Sequence, residues 1–158
     1  LSTATAAEVL CNGDSAQFNY CTFGDLVNER GDSAKPRANV NVSRETIAGA
    51  VARDVTFREC HFLQKAKHAD VNFVYGSGTT DVERRMLFIK PVFWNCTLAT
   101  GTIADGITFG GAQTQGDVLL VDPVGIKVTA FAEANQNVFV QGAVPTAATA
   151  GIAVEIAA

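Results

Sequence analysis

Three hexapeptides decide how this chain is read: FNYCTF at residues 18–23, FRECHF at 57–62 and FWNCTL at 93–98. Each sets a Phe three residues before a Cys and an apolar residue two after it. Cys21 and Cys60 are 39 residues apart, Cys60 and Cys96 36 apart. Self-similarity at a spacing of about 20–50 residues marks stacked repeats. Residues two apart on a strand share a face, so each Cys and the apolar residue after it point the same way. The leading Phe faces oppositely on a straight strand, and a bend turns all three inward. That is the corner of a parallel β-helix, where successive coils place like residues above like. Three interior stacks are predicted: Phe18, Phe57 and Phe93; Cys21, Cys60 and Cys96; Phe23, Phe62 and Leu98. Each buried aromatic would contribute about 1.5–3 kcal/mol. The spacing equally admits antiparallel pairing of the same strands in a sandwich.

The rest of the chain agrees with a mainly β class. Apolar, β-branched and aromatic runs fall at 8–11, 17–23, 54–63, 70–75, 85–98, 106–109, 117–121, 125–131, 137–141 and 151–156. They are bounded by Gly, Asn and Asp. Gly-rich clusters at 76–81, 101–105 and 110–116 read as turns. The polar stretch 28–42, NERGDSAKPRANVNV, reads as an exposed loop. Helical pattern is confined to 43–52, with Ser43 placed to cap it and Gly49 weakening it. Pro123 must sit at an edge, a bulge or a strand end. The expected architecture is one domain, a right-handed parallel β-helix-like or stacked-strand fold with few helices. Residues 1–100 supply the repeat-like layers and 101–158 an apolar, β-rich assembly segment. An α+β capsid-type fold or a β-sandwich is the alternative.

Composition narrows the function. Of 158 residues, 47% are hydrophobic and 18% charged, which is a folding rather than a disordered composition. After residue 100 Lys127 is the only cation, against Asp105, Asp117, Asp122, Glu133 and Glu155; this accounts for the whole net charge of −4. No basic field for nucleic-acid phosphate exists. No apolar run reaches the ~18 residues of a membrane-spanning helix. A sparsely charged segment rich in Ala, Gly, Val and Thr suits a surface covered by neighbours. The chain starts at Leu1 without Met or a signal sequence, as a processed, trimmed or partial chain would.

Candidate chemistry is thin. The four cysteines include no C-x-x-C pair, so zinc spacing is absent and buried, reduced thiols are expected. Only His61 and His68 could act as imidazole bases, and His61 should point away from Cys60 on a strand. Arg53-Asp54, Arg58-Glu59 and Glu83-Arg84-Arg85 read as a polysaccharide-cleaving groove or, more simply, as salt bridges between strands. FGGAQTQGD at 109–117 lacks the Lys of a phosphate loop. Asn41-Val42-Ser43 and Asn95-Cys96-Thr97 are glycosylation sequons, and Arg30-Gly31-Asp32 is an adhesion-type tripeptide.

The last 75 or so residues carry a resemblance. LLVDPVG, the ending NVFVQGAVPTAATAGIAVEI and the Ala-rich finish resemble the end of structural head proteins of tailed bacteriophages. The chain departs from them in being shorter and more β-rich. The F-x-x-C-x-F phrases resemble β-helix proteins, phage spikes included. The resemblance implies a non-enzymatic capsid or head decoration protein without cofactor. It implies partners that are copies of itself and other virion proteins, and a location in virions assembled in the host cytoplasm. Residues 143–158 would then be ordered by adding to a neighbouring subunit's sheet. A carbohydrate-binding or carbohydrate-cleaving spike fragment is the alternative, and a secreted adhesive domain a third reading.

Overall fold

A computed structural model describes residues 6–11, 15–24, 37–42, 53–64, 71–76, 85–96, 103–109, 117–132 and 138–142. All of its regular elements are strands: β1 (Ala6–Cys11), β2 (Gln17–Asn19), β3 (Thr22–Gly24), β4 (Arg37–Val42), β5 (Val55–Arg58), β6 (His61–Gln64) and β7 (Val71–Gly76). The series continues with β8 (Arg85–Ile89), β9 (Val92–Asn95), β10 (Ile103–Phe109), β11 (Asp117–Val121), β12 (Val124–Ile126), β13 (Val128–Ala132) and β14 (Val138–Gln141). They form three sheets, ordered β1-β4-β7-β10-β13, β2-β5-β8-β11-β14 and β3-β6-β9-β12. Every pairing is parallel, and each strand pairs with the strand one coil away. This is a parallel β-helix of stacked three-strand coils, and the antiparallel sandwich is excluded.

The corner between the second and third sheets is the constant feature. It takes two residues in each of four coils: Tyr20-Cys21, Glu59-Cys60, Lys90-Pro91 and Asp122-Pro123. The first of each pair is left-handed, with φ of 56°, 49°, 50° and 48°. That conformation is uncommon for side chains other than glycine. The backbone ladder holds it: each of these N–H groups donates to a carbonyl of the next coil, on Arg58, Ile89, Val121 and Gln141, at 2.7–2.9 Å. The second residue of the pair turns inward, and Cys60, Pro91 and Pro123 are buried. Its carbonyl accepts from the following coil, as in His61 N–H to Cys21 and Val92 N–H to Cys60. Proline fits there because the ladder uses the carbonyl and proline lacks only the N–H. A consequence is testable at Glu59. Glu59→Gly should stay within about 0.5 kcal/mol of the parent, since relief of strain and added chain entropy offset each other. Glu59→Val, β-branched and ill-suited to positive φ, should cost about 1–2 kcal/mol in a urea titration. Equal losses from the two would show that the left-handed corner is not what sets the cost.

The interior stacks form with a corrected register. Phe18 and Phe57 stack at 5.1 Å between centroids, but Phe88, not Phe93, continues the column at 4.9 Å from Phe57. Phe93 joins the other column, Phe23–Phe62–Phe93, at spacings of 5.2 and 5.1 Å. The true third hexapeptide is therefore FIKPVF at 88–93, with Pro91 where the earlier coils have Cys. Cys21 and Cys60 are neighbours at the corner, whereas Cys96 lies past the end of β9, its N–H donating to Gln64. Leu98 lies outside the described residues. The two columns meet edge to face, Phe57 against Phe62 at 71°, so one aromatic core runs through three coils. Beyond it Leu120 succeeds Phe88, and Gly125 succeeds Phe93. Gly106 also yields to Phe93: a Cβ there would sit 2.8 Å from its ring.

Three further expectations change. Residues 37–42 are not exposed loop but strand β4, and 38–42 are all buried, Asn39 and Asn41 included. The Asn39 amide donates to the Leu63 carbonyl at 3.2 Å, tying β4 to β6 across the inside of a coil. Strand β10 begins at Ile103, inside the stretch read as a turn. The layers also run past residue 100, because β10 to β14 continue the same three sheets. Residues 28–36, the helix pattern at 43–52 and the strand at 151–156 lie outside the described residues.

Candidate functional site

Among the described residues, the groups singled out for chemistry do not converge. Cys60, the inward residue of the corner, is fully buried while His61, the first residue of β6, is exposed, so the two do not form a dyad. Among the described residues, no group of three or more His, Cys, Asp and Glu side chains is placed to hold a metal. Arg85 Nε lies 3.5 Å from Asp54 Oδ1, an ion pair between successive coils. Pairs this exposed contribute little to stability. Arg58 and Glu59 are exposed at the corner, whereas Glu83 and Arg84 are outside the described residues. His68 and the Arg30-Gly31-Asp32 tripeptide are outside them too. Asn41 and Asn95, the two sequon asparagines, are 2% and 3% exposed, so this fold leaves no room for a glycan on either. All four thiols are free, and burial pushes Cys11 up to about 11.

What the fold does assemble is an apolar outer surface. In the second sheet the outward positions fall into register as Gln17, Thr56, Leu87, Leu119 and Phe139. The next outward column reads Asn19, Arg58, Ile89, Val121 and Gln141. Both columns are polar in the first two coils and mostly apolar from the third onward. The third sheet carries no Asp, Glu, Lys or Arg, and its outward columns are Thr22, His61, Val92, Val124 and Gly24, Leu63, Trp94, Ile126. Trp94 is 40% exposed and Phe139 54%. The corner ridge between the two sheets bears Lys90 and Asp122, and the second sheet adds Arg58 together with Arg85 and Asp117, paired in register at the starts of β8 and β11.

The last described strand adds to this surface. Val140 stands on the column Phe18–Phe57–Phe88–Leu120, where Leu120 is fully buried, yet Val140 is 40% exposed. The core column thus surfaces at β14. Strands apolar on both faces normally have both faces covered. β8 (RMLFI) and β11 (DVLLV) have that composition, but their outer faces remain partly open. That composition was the sequence signal for this surface. Periodicity alone could not say which residues of a continuous apolar run point outward.

No protein-family model matches the chain, and no curated protein or solved structure matches it either.

Proposed function

We propose that this protein is a structural component of a bacteriophage virion, a capsid or head decoration protein that works by self-assembly rather than catalysis. The observation that carries the reading is the set of strands apolar on both faces whose outer face is open in the single chain. A largely apolar parallel sheet face buries that area best against another sheet of the same kind. The phage-head resemblance of residues after about 84, together with the sparse charge there, supports a second copy of the chain as the occupant.

The test is hydrodynamic. The native protein should elute as large, regular oligomers by light scattering. Leu119→Lys combined with Trp94→Lys should shift it to monomer while costing about 1–2 kcal/mol of stability at most, because Trp94 is exposed and Leu119 is half-buried on the outer face. Thr56→Lys, in the same column as Leu119 but among polar neighbours, should leave the oligomer intact. Particles of unchanged size in the double variant would overturn the reading. A carbohydrate-binding spike segment is the second reading, favoured by the exposed Trp94 ring on a flat β-helix face. It predicts a trimer whose polysaccharide binding is lost in Trp94→Ala.

A further inference from the structure

Cys21 and Cys60 occupy the same corner position in the first and second coils. The backbone bonds that flank them, Tyr20 N–H to Arg58 and His61 N–H to Cys21, are both 2.9 Å, so the two residues face each other across one rung. Rungs of a sheet lie about 4.8 Å apart, inside the Cα separation of about 4.4–6.8 Å that a disulfide accepts. The thiols lean the same way. Cys21 Sγ–H donates to the Asn19 carbonyl at 3.4 Å, and Cys60 Sγ–H lies 3.5 Å from the Phe18 carbonyl, in the Cys21 coil. The later coils have proline at this position, so the dithiol is confined to the first two. Cys96 takes no part: its thiol donates to Trp94 at the far end of β9.

We propose that Cys21 and Cys60 form a dithiol site that a small-molecule disulfide oxidises to a cross-coil bond, clamping the first coil to the second. Cys21, half-buried, is the sulfur that a reagent reaches first; Cys60 is enclosed. The Cys21 thiolate attacks the reagent's S–S bond, giving a mixed disulfide and releasing one thiol. The Cys60 thiolate then attacks Cys21 Sγ, forming the internal bond and releasing the second thiol. Two protein thiols are oxidised and one disulfide is reduced to two thiols, so electrons and protons balance. Burial holds the Cys60 thiol above its ordinary value, so closure, which needs the Cys60 thiolate, should accelerate as pH rises.

The folded protein is exposed to oxidised glutathione at mildly alkaline pH, blocked with a maleimide and digested without reduction. The expected product links the peptide containing Cys60 to Cys21, assigned over Cys11 by fragment masses, with two of the four thiols lost. Closing a 39-residue span should raise the melting temperature by on the order of 10 °C, and dithiothreitol should reverse it. Cys96→Ser should cross-link as the parent does. Glutathione persisting on Cys21, a link through Cys11 or Cys96, or a Cys21–Cys60 link without a rise in melting temperature would each overturn the proposal.

Discussion

Phe57→Ala is expected to lower the unfolding free energy by about 3–5 kcal/mol, read as a fall in denaturant midpoint. Phe57 is fully buried and touches four other rings. It stacks on Phe18 and Phe88 at interplanar angles of 9° and 13°, and meets Phe23 and Phe62 edge-on at 81° and 71°. Each such pair adds about 0.5–1.5 kcal/mol beyond burial. The whole fold has only about 5–15 kcal/mol to lose. Phe18→Ala should cost about 1–2 kcal/mol, because that ring is half-buried at the end of the column and has two aromatic neighbours. Phe57→Leu keeps most of the volume and should fall between the two, giving a graded series even if the alanine variant does not fold. Equal losses for Phe18 and Phe57 would mean that the columns are not the centre of the core.

That gradient follows from a register only partly legible in the sequence. The spacing of five between paired Phe residues was present three times, at 18 and 23, 57 and 62, and 88 and 93. Following the thiol instead shifted the third coil by five residues and drew in Cys96 and Leu98. The corner selects for a compact inward residue whose N–H the ladder does not require, and both Cys and Pro satisfy it. The coil period is irregular for a related reason. From Phe57 to Phe88 to Leu120 to Val140 the steps are 31, 32 and 20 residues, since loops of different length enter away from the corner. Strand β4 was hidden by its asparagines: RANVNV reads as polar loop unless an interior amide such as Asn39 finds a carbonyl to donate to.

The outer surface was legible only as a composition. Sparse charge after residue 100 pointed to covered surface, but the columns Leu87–Leu119–Phe139 and Leu63–Trp94–Ile126 exist only once register is known. Their continuations toward the first coil, Thr56 and Gln17 in one and Gly24 in the other, carry no large apolar side chain, so the apolar area starts at the third coil in the first column and the second in the other. This asymmetry is why substitutions at Leu119 and Thr56, two coils apart in one column, should separate assembly from stability.

Gly24→Ala is expected to be nearly as damaging as loss of Phe57, for a backbone reason. Gly24 ends β3 with φ of +103°, a conformation that glycine alone adopts readily. A methyl group there would collide with the Leu63 carbonyl oxygen and stand 2.6 Å from Asn39 Nδ2. Both are partners in the buried hydrogen bond that joins β4 to β6, so neither can move without breaking it. Dihedral strain of about 1–3 kcal/mol and overpacking of about 1–3 kcal/mol give a loss of roughly 3–5 kcal/mol. Gly142 provides the comparison. Its φ is +111°, but the first atom its Cβ would meet is Asp122 Oδ1, the end of an exposed side chain that can swing aside. Its next contacts, Asp122 Cα and N at 3.1 and 3.2 Å, are tight but need only a small shift, so Gly142→Ala should cost mainly the strain, about 1–3 kcal/mol. Because the two dihedrals nearly match, the difference between the variants measures the collision with Leu63 and Asn39. Matching losses would show that the Asn39–Leu63 bond does not hold the two strands together.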